Sequence, residues 1–115
     1  MAFTLSQKAE IEKVMADFME RNRPPENIRD KLDFDFDVTG QSVEIFEIRP
    51  AFNKPSEKHN SPVAKTTYVR TRDIWKVYWM RSDAKWHSYP PVPSVGSFKK
   101  FIQLVEKDEH HCFWG

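Results

Sequence analysis

The sequence predicts an α+β fold: a single antiparallel sheet of about five strands, running as a meander and packed by an N-terminal and a C-terminal helix. Three observations predict it. Apolar residues recur at helical spacing only near the two ends of the chain. Between residues 32 and 89 the spacing changes to alternation in twos, broken by clusters of Gly, Asp, Asn and Pro. The strand-like segments also follow one another with no helical stretch between them, which favours hairpins over parallel crossovers. The 115 residues suit one domain, 1–115. Four Trp and nine Phe supply its core, since each buried ring removes about 150–250 Å² from water.

Residues 5–22 read as an amphipathic helix capped by Thr4 or Ser6, with Ile11, Val14, Met15, Phe18 and Met19 on one stripe. Pro24-Pro25 stops it. In strand 32–38, Leu32, Phe34, Phe36 and Val38 alternate with Asp33, Asp35 and Asp37. A tight turn at Thr39-Gly40-Gln41 leads into strand 42–49, with Val43 and Ile45 toward the core and Phe46 and Ile48 away from it. Residues 50–62 have no period and read as a loop. Strands follow at about 63–70, 74–81 and 85–89, and Pro90 to Pro93 ends the sheet. Ser94 or Ser97 caps a final helix, 97–108, whose stripe is Phe98, Phe101, Ile102 and Val105. The tail 110–115 docks through Phe113 and Trp114.

The net charge is +1, unevenly spread. Residues 1–62 hold nine Lys/Arg against twelve Asp/Glu, and residues 63–115 hold nine against five. The pI near 7.9 is below the range of a dedicated nucleic-acid binder. One cysteine, Cys112, excludes an internal disulfide and points to a reducing compartment. There is no signal-peptide pattern and no apolar run near the ~20 residues of a membrane helix. The expectation is a cytoplasmic protein with no membrane contact.

The segment Tyr68 to Tyr89 interleaves rings and cations. A three-residue turn at 71–73 pairs Arg70 with Ile74, Val69 with Trp75 and Lys65 with Trp79, sending the tryptophans inward. The other face then carries Thr66, Tyr68, Arg70, Lys76, Tyr78 and Met80, and a four-residue turn at 82–85 adds His87 and Tyr89. The candidate binding residues are Tyr68, Arg70, Lys76, Tyr78, Lys85, His87 and Tyr89. Rings there would stack flat groups and cations would meet phosphates, as in a single-strand platform. The same composition suits a protein interface. The expected function is therefore non-enzymatic binding of nucleic acid or a protein, with no cofactor.

The alternative is a metal-dependent phosphodiesterase-type hydrolase using Asp35, Glu44, Glu47 and Lys65. Clustered carboxylates hold Mg²⁺, and a lysine offsets developing phosphate charge. Its weakness is that Glu47-Ile48-Arg49 puts Arg where that chemistry wants Lys. A solvated strand face explains the same acids. His110, His111 and Cys112, with His87 or His59, lack the spacing of a structural metal site, so no metal is expected. Nothing in the sequence supplies Cys112 with the base and pocket of a nucleophile.

Val43-Glu-Ile-Phe-Glu47 with Arg49-Pro50, Pro62-Val-Ala-Lys65, Tyr68-Val-Arg70, Trp75 with Tyr78-Trp-Met-Arg81, Asp83, Lys85-Trp-His87, Tyr89 and Cys112-Phe-Trp-Gly115 carry a further signal. Together they resemble domain-of-unknown-function family 3024, over nearly the whole chain. The resemblance implies a small bacterial cytoplasmic domain and supplies no activity, ligand or functional residue.

Overall fold

The computed structural model describes residues 3–29, 31–51, 54, 56–108 and 113. Helix α1 spans Leu5–Asn22 and is followed by β1 (Asp33–Thr39), β2 (Ser42–Pro50), β3 (Lys58–Val69), β4 (Ile74–Met80), β5 (Trp86–Ser88), β6 (Ser94–Val95) and α2 (Phe98–Lys107). The sheet is antiparallel throughout, in the order β1-β2-β3-β4-β5, with β6 beside β5 on the same edge of β4. The expected α+β meander between two helices is the observed fold.

Both helices start where their side chains satisfy free backbone donors. Thr4 and Gln7 form a reciprocal capping box for α1. Ser97 accepts from the Lys100 amide at the start of α2. The stripes Ile11, Met15, Phe18 and Phe98, Phe101, Ile102, Val105 are buried against Val43, Ile45, Val63, Ala64, Trp75 and Val77 of the sheet. Thus both helices cover one sheet face. Arg23 grips Asp33 through two hydrogen bonds, of 2.9 and 2.8 Å, fixing the end of α1 to the start of β1. Arg21 and Asn22 both donate to Glu106, joining the last turns of the two helices.

The expected loop at 50–62 is strand at Pro50 and again from Lys58 onward. β2 and β3 stay paired as far as Pro50 and Lys58, and the Ala51 amide closes onto the Glu57 carbonyl at 2.8 Å. Pro62 fits within β3 because the pairing with β4 stops at Ala64 and Trp79. Val63 is a bulge: the partner of Ile45 is Ala64 and that of Phe46 is Pro62. The bulge lets Val63 and Ala64 both reach the core.

Nor do the prolines end the sheet, since β6 returns to β4 after them. In the tail, Phe113 is buried against Tyr89 with ring centroids 4.8 Å apart, and its amide donates to Asp108. The expectation for Trp114 falls outside the described residues.

Phe101 is fully buried between α2 and the sheet. Phe101→Ala is expected to lower the unfolding free energy by about 3–5 kcal/mol in urea titration. The Glu106 and Asp33 carboxyls are both held below their ordinary range, chiefly by hydrogen bonds from Arg21 and Arg23. A depressed carboxyl contributes stability above its unfolded pKa and loses it as pH falls through the folded value. The melting temperature should hold down to about pH 5 and fall below about pH 4. Glu106→Gln combined with Asp33→Asn should flatten that fall in a thermal scan.

Candidate binding surface on the open sheet face

Each hairpin turn decides which side chains share a face, and both turns of the β3-β4-β5 meander are one residue longer than expected. Val69 pairs with Ile74 across four residues, Arg70 to Asp73, with Asp73 in the left-handed region at φ 49°. Met80 pairs with Trp86 across five residues, with Ala84 at φ 60°. The alternation within β4 is as expected: Trp75 and Val77 point to the core, and Lys76, Tyr78 and Met80 point away. The strands on either side of β4 are shifted by one residue, which reverses their faces.

The consequence for the expected site is large. Tyr68 lies opposite Trp75 on the helix-covered side, ring centroids 4.9 Å apart. Its hydroxyl donates to Asp73 at 2.7 Å, and that bond above all raises its pKa. Thr66 is fully buried and donates to the Lys76 carbonyl at 2.8 Å. His87 pairs with Trp79 on the helix side and bonds Asp83 at 2.8 Å, the main reason that the Asp83 carboxyl sits low. Tyr89 is 1% exposed and belongs to the core. Arg70 and Lys85 are exposed in the two turns. Of the seven candidates, only Lys76 and Tyr78 lie within strands on the open face.

Pairing places other residues beside them. One row across the face is Thr39, Ser42, Thr67, Lys76 and Ser94. The next is Asp37, Glu44, Lys65, Tyr78 and Ser88. Asp35 and Phe46 continue toward Pro62, with Met80 and Trp86 beyond the bulge. Lys65 sits centrally, 3.9 Å from Glu44 and 5.9 Å from the ring centroids of both Tyr78 and Trp86. Phe46, Ile48, Tyr78, Met80 and Trp86 are each half-buried. The face is therefore apolar in its middle, acidic toward β1 and basic toward β4.

At the basic margin lies a cleft of about 280 Å³, lined by Arg72, Ile74, Lys76, Tyr78, Ser88, Pro93 and Ser94. Arg72, Trp86, Ser88 and Ser94 were not among the sequence candidates. Correct turn lengths are the signal that would have placed them here.

The four hydrolase residues do not converge. Asp35, Glu44 and Lys65 are on the open face, whereas Glu47 pairs with Phe34 on the helix side and binds Arg49 at 2.7 Å. Among the described residues, no group of three or more His, Cys, Asp or Glu is placed to hold a metal. The residues 110–112 lie outside the described set. No helix among the described residues is long and apolar enough to cross a membrane.

The chain belongs to the family described as a domain of unknown function (DUF3024), which it matches over residues 3–115. No curated protein and no solved structure matches it.

The two tyrosines separate the faces experimentally. Tyr89→Ala should cost about 3–5 kcal/mol of stability, as for other large buried rings. Tyr78→Ala, on the open face, should cost less than about 1.5 kcal/mol in the same urea titration.

Proposed function

We propose that this DUF3024 protein is a non-enzymatic binding module whose open sheet face receives a protein partner. The observation that carries the reading is the band of half-exposed Phe46, Ile48, Met80 and Trp86 on the face opposite both helices. Aromatic and Met side chains are enriched at protein interfaces. Carboxylates at one margin and cations at the other match a partner with the reverse arrangement, and such complementarity favours docking in one orientation. A polynucleotide fits less well, because Asp35, Asp37 and Glu44 stand on the same face and would repel phosphates. With Tyr68 and Tyr89 turned to the other side, a three-tyrosine stacking platform does not form. The lone cysteine accords with a cytoplasmic setting.

Photo-cross-linking tests the reading. A benzophenone amino acid placed at Trp86 should give a discrete protein adduct in extracts of the native organism. The adduct should resist nuclease and disappear when Phe46→Asp is added. The same probe at Lys99, on α2, should give none. Equal yields at both positions, or an adduct removed by nuclease, would contradict a protein-binding face.

A further inference from the structure

We infer that the cleft at the basic margin of the open face is a binding site for a phosphate monoester. The inference stands apart from the protein-partner reading, because it rests on the cleft alone.

The cleft exists because the edge of β4 changes partner at Val77. The Val77 amide donates to the Pro93 carbonyl and the Tyr89 amide donates to the Val77 carbonyl, both at 3.0 Å. These bonds hold the segment 89–93 against β4 while the Tyr89 ring enters the core. Ser88 and Ser94 are left on the open face, beside Tyr78 and Lys76 respectively. Two short side chains next to two long ones leave the 280 Å³ space open.

Its lining is selective in charge. Arg72 and Lys76 are both exposed, and neither makes an ion pair among the described residues. The remaining polar side chains of the lining are the hydroxyls of Tyr78, Ser88 and Ser94, with no carboxylate. Two fixed positive charges match the near-dianionic charge of a phosphate monoester at neutral pH. The Arg guanidinium offers a planar fork to two phosphate oxygens, the Lys ammonium a point charge, and the hydroxyls donate to the rest. Ile74 and Pro93 give the ester carbon an apolar wall. The groove between α1 and α2 differs, because its Arg21 is already bound to Glu106 at 2.7 Å.

Isothermal titration with phenyl phosphate at low ionic strength is the test. Saturable binding is expected, weakened about tenfold or more by Arg72→Ala and by Lys76→Ala, the effect of one lost charge-assisted hydrogen bond. Lys99→Ala, an exposed cation on α2, should leave affinity unchanged. Melting curves of the three variants check that they remain folded. A phosphotyrosine peptide distinguishes the sources of the ester. Equal affinity for peptide and phenyl phosphate identifies a free small ester, whereas tighter peptide binding that Trp86→Ala removes identifies a phosphate carried on a protein. Absence of saturable binding, an equal loss in Lys99→Ala, or tighter binding of an oligothymidylate would overturn the inference. The phenyl phosphate results, which decide the inference, do not depend on the cross-link at position 86, so the two readings fail separately.

Discussion

The register between β3 and β4 is the constraint on which the rest depends. It places Thr66 opposite Val77 and Tyr68 opposite Trp75, beneath the helices. Its alternative, one residue away, would turn Lys65 toward the core beside Ile45. An ammonium buried among apolar groups carries a large desolvation cost. In the observed register that ammonium stays at the surface near Glu44, while the buried Thr66 hydroxyl is satisfied by the Lys76 carbonyl. The β2 pairing agrees, since Val43 and Ile45 face Thr66 and Ala64. Three strands thus fix one another.

Everything on the open face inherits that registration. Lys65 falls between Tyr78 and Trp86, so a cation is held against two rings in the middle of an apolar band. The bulge at Val63 adds a second effect: it delivers one more apolar side chain to the core and shifts Pro62 and Phe46 relative to Met80 and Trp86. The change of partner along β4 opens the basic cleft at the far margin. Charge segregation across the face follows from strand order, because β1 contributes Asp35 and Asp37 while β4 and its turn contribute Lys76 and Arg72.

Much of this was legible in the chain. The helical stripes, the Asp-rich alternation of β1 and the inward Trp75 and Val77 are local patterns, and local patterns survive folding. The faces of β3 and β5 were not legible, because they depend on the number of residues in a turn. Arg70 to Asp73 carries no glycine, yet Asp73 and Ala84 both adopt left-handed conformations that lengthen their turns. The paired stretch at 58–62 was hidden by Pro50, Pro55 and Pro62, since proline usually breaks strands, yet Pro62 falls where β3 has no β4 partner. For the binding site, sequence found Lys76 and Tyr78 and missed Ser88 and Ser94, their neighbours across the ladder, which only register supplies.

The most direct measurement is the set of nuclear Overhauser contacts of the Trp75 indole. Strong contacts are expected from the indole to the Tyr68 ring and to Phe98, whose centroids lie 4.9 and 5.4 Å away. Contacts from the indole to the Val69 methyls, with none to Tyr68, would mean that β3 is shifted by one residue and that the open face described here does not exist.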